Sequence, residues 1–194
     1  RKYSANIMKI RIKGWNSSGL RSPDVKLNFE TASGSDQSVV FIQMPNGTGK
    51  TSSLELLLAT LSGSARNWSK EKVLSYQPNE NGLDSPFENG IFGVDLLIDD
   101  SEISFELTLD FENGIANYKT IDSASGGSLS EYKPRDSARW FFQEKFIRLV
   151  IFDGEFASGL LDPKANSTRS AIDALGQLDK FDEARLFAQT YLEG

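Results

Sequence analysis

Apolar and polar residues alternate along much of the first two thirds of the chain, the period of strands with one buried face. In residues 7–13, Ile7, Met8, Ile10 and Ile12 stand against Lys9, Arg11 and Lys13, and the pattern breaks at Gly14-Trp15-Asn16-Ser17-Ser18-Gly19. A second strand is predicted over 25–29. Ser33-Gly34-Ser35-Asp36 is a turn signal that leads into the apolar run 38–43, predicted as a central strand fed by the two outer ones. Residues 54–61 have the composition and length of a helix, and Leu61-Ser62-Gly63-Ser64 reads as its C-terminal cap. The polar stretch 62–89, with Pro78, Asn81-Gly82, Pro86 and Asn89-Gly90, reads as a surface excursion outside regular structure. Its aromatics Trp68 and Tyr76 have two readings, packing over the domain or stacking on a base.

Three strand-like runs follow, over 92–98, 103–111 and 115–121, separated by Asp99-Asp100-Ser101 and Glu112-Asn113-Gly114. Turns this short predict an antiparallel meander, with Glu102, Ser104, Glu106, Thr108 and Asp110 on its polar face. A Gly-, Ser- and Pro-containing gap over 122–134 closes this unit, and a short helix is predicted near 136–143. The almost continuously apolar run 146–152 suits a buried central strand. Helical patterns then cover 167–175 and about 178–191; the last packs on the domain or starts an arm.

Between the run 38–43 and the helix 54–61 lies Met44-Pro45-Asn46-Gly47-Thr48-Gly49-Lys50-Thr51-Ser52. A strand, a glycine-rich loop ending in Gly-Lys-Thr and a helix is the arrangement of a phosphate-binding loop. Small residues let backbone N–H groups turn inward, the helix N-terminus adds positive potential, and a lysine reaches the outer phosphates. The threonine hydroxyl then serves Mg2+. The usual pattern, G-x-x-x-x-G-K-[ST], has Met44 in place of its first glycine. The assigned nucleotide-binding residues are Asn46, Gly47, Thr48, Gly49, Lys50, Thr51 and Ser52, with ATP and Mg2+ as the expected cofactors.

Leu149-Val150-Ile151-Phe152-Asp153 has two chemical readings, beside that of a structural turn at Asp153. One is a Walker B strand whose aspartate holds Mg2+ through water. The other is the loop of ABC-type heads that usually carries a glutamine beside the ion and the attacking water. Both place Asp153 on the ion of Thr51, on the premise that adjacent strands end on one sheet edge, and a hard cation prefers such oxygen ligands. Glu155 reads either as an ion-proximal or interface carboxylate or as a surface cap. The segment 94–100 has a superficial Walker B look that the meander accounts for.

Composition narrows the chemistry. The 194 residues suffice for one large domain or a domain with an appended element. With 21 basic and 27 acidic residues, a formal charge of −6, the surface as a whole is not a nucleic-acid footprint. There is no cysteine and no histidine, which excludes disulfides, thiolate metal sites and imidazole catalysis. No apolar run reaches transmembrane length and no signal peptide is legible, so the expected location is the cytoplasm, with no membrane partner.

Together, Met8-Lys9-Ile10-Arg11-Ile12-Lys13-Gly14-Trp15, the loop 44–51, Phe152-Asp153-Gly154-Glu155 and Leu175-Gly176-Gln177-Leu178-Asp179-Lys180-Phe181-Asp182-Glu183-Ala184 resemble the SMC/Rad50 superfamily of ABC-type ATPases with coiled-coil arms. The Phe-Asp-Gly-Glu form is most similar to the DndD family of DNA phosphorothioate systems and related phage-defence ATPases. The resemblance implies an α/β fold, the N-terminal lobe of an ABC-type P-loop NTPase head with a mixed sheet and an antiparallel meander. Residues 1–177 would form that lobe and 178–194 a terminal helix. Lys50 and Asp153 would be its catalytic residues, with Asp153 in the ion-sensing glutamine position. Its implied partners are the C-terminal half of the same head, a second head in an ATP-dependent dimer, DNA, and other defence or repair subunits. Such a lobe alone binds ATP-Mg weakly or needs its other half, and hydrolyses very slowly. A self-contained P-loop NTPase or nucleotide kinase, and a non-hydrolysing regulatory or structural module, are the alternatives.

Overall fold

The computed structural model describes residues 8–30, 40, 42–44, 47–78 and 87–151. The chain divides into two compact units, Arg1–Glu144 and Lys145–Gly194.

The first unit is built on a six-stranded sheet of order β2-β1-β3-β4-β5-β6, from β1 (Ile10–Ser18), β2 (Val25–Asn28), β3 (Asn89–Ile98), β4 (Ser101–Asp110), β5 (Ile115–Asp122) and β6 (Gly127–Leu129). The meander predicted from alternation is β3-β4-β5. Its inward residues Phe92, Val94, Leu96, Ile98, Ile103, Phe105, Leu107 and Leu109 are buried. The β3–β4 register runs unbroken from Asn89↔Asp110 to Ile98↔Ser101. The two-residue turn between them has Asp99 in the left-handed region, φ 53°, a conformation that aspartate tolerates better than most residues. The Lys9 N–H donates to Asp99 Oδ1 at 2.9 Å, and the Asp99 N–H donates to Lys9 O at 2.7 Å, which ties the entry of β1 to this turn.

β1 extends through the residues predicted to break it. A bulge between Ile12 and Gly14 shifts the register, so Ile10 and Ile12 lie opposite Ile98 and Leu96, whereas beyond the bulge Trp15 and Ser17 lie opposite Val94 and Phe92. The extra residue reverses the parity of the alternation, and the strand no longer looks periodic. Trp15 meets Phe29 edge-on at 5.4 Å and stacks on Phe92 at 6.4 Å. Gly14 is required because β2 crosses so closely that a Cβ there would lie 2.1 Å from Leu27 O.

The helix α1 (Lys50–Ser62) lies against β3 and β4, with Leu56, Leu57 and Leu61 buried. It ends at Gly63, φ 70°, whose N–H donates to Ala59 O at 2.9 Å, as the cap reading required. Two tyrosines satisfy carbonyls near that end: Tyr118 OH donates to Ala59 O at 2.7 Å, and Tyr132 OH donates to Leu61 O. Burial raises the pKa of both phenols, so both remain donors.

The segment after α1 is more regular than expected. A 3-10 turn, Ser64–Asn67, leads to α2 (Lys70–Leu74), whose N-cap Ser69 accepts from the Lys72 N–H at 3.3 Å. Near 136–143 the predicted helix is a 3-10 turn over Asp136–Ala138 followed by further turns.

Two predicted central strands are absent among the described residues. Val40 and residues 42–44 lie outside any strand, and all five strand pairings are antiparallel, so no mixed sheet is formed there. β1 is already paired on one edge to β2 and on the other to β3, which leaves no slot between them. Val40 and Ile42 are correspondingly exposed. In the second unit, the run predicted as a buried strand begins as a helix, α3 (Glu144–Val150). Ile147 is buried while Arg148 and Val150 are exposed, and Glu144 and Arg148 stand at the helix ends that favour their charges. A continuous apolar run has no period that separates strand from buried helix. No helix among the described residues is long and apolar enough to cross a membrane.

Candidate functional site

Gly47, Thr48, Gly49, Lys50, Thr51 and Ser52 converge at the start of α1. Gly47 (φ 79°) and Gly49 (φ 85°) both adopt the left-handed backbone that side chains disfavour, which turns the chain sharply into the helix. Gly49 is the N-cap. It supplies no side chain to the helix's first N–H groups, and the first turn has no acidic residue. The Ser53 N–H donates to Gly49 O at 2.8 Å and closes that turn. Donors and dipole are thus presented at a surface where Gly47, Lys50 and Thr51 are exposed, the requirement for holding an anion. Lys50 Nζ donates to Met44 O at 3.4 Å, a long contact that folds the lysine back over its own loop.

The two glycines serve different purposes. A Cβ on Gly47 would meet nothing within 4 Å, so its requirement is conformational. A Cβ on Gly49 would lie 3.1 Å from Ser22 Cβ and 3.2 Å from Ser22 Cα, so here the loop also presses against the β1–β2 connection. Ser22 is 4% exposed, and its Oγ is buried without a hydrogen-bond partner. Motif reading misses Ser22 because its neighbour in space is distant in sequence and its segment carries no pattern of its own.

That connection is held firmly. Ser17 Oγ donates to Pro23 O at 2.8 Å, the Gly19 N–H donates to Asp24 Oδ1 at 2.9 Å, and the Arg21 N–H donates to Tyr76 O at 2.7 Å. Tyr76 links back to α1, its OH donating to Glu55 Oε2 at 2.5 Å, while Lys72 Nζ meets Glu55 Oε1 at 2.5 Å. Burial first, then the hydrogen bond and charge of Glu55, push the Tyr76 phenol far above the ordinary tyrosine range. Trp68 stacks on Tyr76 at 5.2 Å with rings 8° from parallel, and Lys72 Nζ lies 5.5 Å and 5.1 Å from the two ring centres. Trp68 and Tyr76 thus pack on each other over the domain.

No protein-family model matches the chain, and no curated protein does.

Asn46, Asp153 and Glu155 lie outside the described residues. The two strands from whose shared edge Asp153 was placed beside Thr51 are not formed among the described residues, since residues 42–44 lie outside any strand and residues 146–150 are helical; Asp153 itself lies beyond them. Among the described residues no group of three or more acidic side chains is arranged to hold a metal. Asp95, from the superficial Walker B segment, accepts from Ser104 Oγ at 2.6 Å within the meander.

Proposed function

We propose that this chain is the ATP-Mg-binding half of an SMC-like ATPase that acts on DNA in defence, modification-dependent restriction or repair. Hydrolysis then requires a C-terminal half-head and a second head. The observation that carries the nucleotide part is the start of α1. Two left-handed glycines and an acid-free helix N-terminus end in an exposed lysine and threonine. The SMC-like part rests on the sequence resemblance.

The site's chemistry fits a polyphosphate. The backbone N–H groups of the first α1 turn bind phosphate oxygens, and Lys50 exchanges its weak contact with Met44 O for a charge-assisted one. Thr51 is the described side chain that would hold Mg2+, and Asp153 remains its proposed second ligand. When bound, Mg2+ neutralises charge on the phosphates. On this reading DNA and the other head subunits are partners of the assembly, in the cytoplasm.

The test is calorimetric titration of the chain with ATP and Mg2+, beside Lys50→Ala. Weak binding that falls at least about tenfold in the variant is expected, from loss of one charged hydrogen bond. Equal affinity of both proteins would remove the loop from the site.

A further inference from the structure

The phosphate loop is supported from behind. Resting on the nucleotide reading above, we infer that Tyr76 is a positioning residue for this loop: it ties α1 to the β1–β2 connection on which Gly49 rests, and so sets the geometry in which the loop meets a nucleoside polyphosphate. The contacts form a closed circuit. Ser22 Cβ and Cα lie 3.1 Å and 3.2 Å from the place of a Gly49 Cβ, so the connection backs the loop by packing. One residue earlier, the Arg21 N–H donates to Tyr76 O at 2.7 Å. The Tyr76 OH donates to Glu55 Oε2 at 2.5 Å. Glu55 then leads back along α1 to its N-cap Gly49, about 9 Å away along the axis.

A hydrogen bond is directional and apolar burial is not. The Glu55 carboxylate therefore fixes how α1 is rotated about its axis in a way that its buried leucines do not. Glu55 is half-exposed, yet both its oxygens are engaged, Oε1 by Lys72 Nζ at 2.5 Å. Tyr76 is 3% exposed and its ring is stacked on Trp68, 5.2 Å away and 8° from parallel, so the phenol has little room to turn from Glu55. Burial also raises its pKa, and the hydroxyl stays a donor. A binding group needs such a supporting shell to hold its geometry. The brace stays closed when a phosphate binds at the outer side of the loop.

Tyr76→Phe keeps the ring and the main-chain bond and removes the hydroxyl. Its affinity for ATP with Mg2+ should fall about fivefold, the usual scale for a residue that acts through a network. Without nucleotide, the Ser53 amide, which donates to Gly49 O, should exchange with solvent about fivefold faster. Glu55→Ala removes the same bond from its half-exposed partner and should give both changes. Tyr118→Phe is the contrast: it removes a hydroxyl that donates to Ala59 O near the other end of α1. It should lower the melting temperature and leave ATP affinity and Ser53 exchange as in wild type.

Calorimetry with ATP and Mg2+, amide exchange and thermal melting on wild type, Tyr76→Phe, Glu55→Ala, Tyr118→Phe and Lys50→Ala separate the outcomes. Unchanged ATP affinity in Tyr76→Phe and Glu55→Ala, with wild-type binding that depends on Lys50, overturns the positioning role and leaves the nucleotide site standing. Equal losses of affinity in Tyr76→Phe and Tyr118→Phe would mean a general loosening of α1 and overturn it equally. So would a loss of affinity in Tyr76→Phe with Ser53 exchange unchanged. No ATP binding by wild type overturns the nucleotide reading itself, and the role of Tyr76 with it.

Discussion

Glycine positions carry much of the local specification, and their costs separate by surroundings. Gly63 combines φ 70° with the Tyr132 ring, whose nearest atoms would be 2.5 to 2.8 Å from an added Cβ. Gly126 has a similar φ of 66° but nothing within 4 Å. Gly63→Ala should therefore lower the unfolding free energy by about 3 kcal/mol, from backbone strain plus displacement of a ring that also caps α1. Gly126→Ala should cost about 1 kcal/mol from backbone alone. Urea unfolding of both variants checks the pair, and equal losses would mean that Tyr132 yields freely. Gly63, Gly47 and Gly49 were legible in the sequence because a cap and a phosphate loop each demand a left-handed residue at a fixed place. Ser22 was not, because its meaning comes from a distant contact.

Among the elements, the meander was legible because one face of each strand is buried, which leaves period two in the sequence. β1 was half legible: the bulge beyond Ile12 inverts its phase, and Gly14 to Ser18 then resembles a break. The runs at 38–43 and 146–152 misled for a shared reason, since apolar content without period fixes neither strand nor helix. A further feature of the sheet edge was invisible. Arg135 crosses to the end of β5, its Nε meeting Asp122 Oδ2 at 2.9 Å and its Nη2 meeting Oδ1 at 2.5 Å and Glu102 O at 2.9 Å. The Arg135 hydrogen bonds hold the Asp122 carboxyl below the usual range, and Arg135 is raised in turn. With its folded pKa below the unfolded one, Asp122 contributes stability that is full above the unfolded value near ~3.9 and lost as pH falls through the folded one. Asp122→Asn should cost about 2 kcal/mol at pH 7. Its deficit against wild type should shrink below about pH 4. Urea unfolding at several pH values tests this, and a deficit constant with pH would deny the pair its charge.

For the whole molecule, the decisive question is whether a chain proposed to bind ATP-Mg can also complete hydrolysis. Water attack on a phosphoryl group needs a residue that positions the nucleophile and a further group that stabilises the developing charge. The chain has no histidine, so imidazole cannot serve as the base from within it, and a carboxylate is the next most common choice. Glu55, the acid of α1 that follows the loop most closely, is already engaged through both oxygens, by Lys72 and by Tyr76. Releasing it would undo the brace between α1 and the segment that holds the Ser22 connection. On the proposed reading Lys50 and the first-turn N–H groups serve binding, and the base comes from another polypeptide. Hydrolysis by this chain alone should fall far below about 1 per second, the low end of ordinary enzyme turnover. Phosphate release measured at saturating ATP and Mg2+, with Lys50→Ala as the background, tests this directly. A Lys50-dependent rate at or above that figure would make the chain a self-contained P-loop enzyme. A rate at background with retained ATP binding would leave the catalytic base and the charge-stabilising group to be supplied from outside the chain.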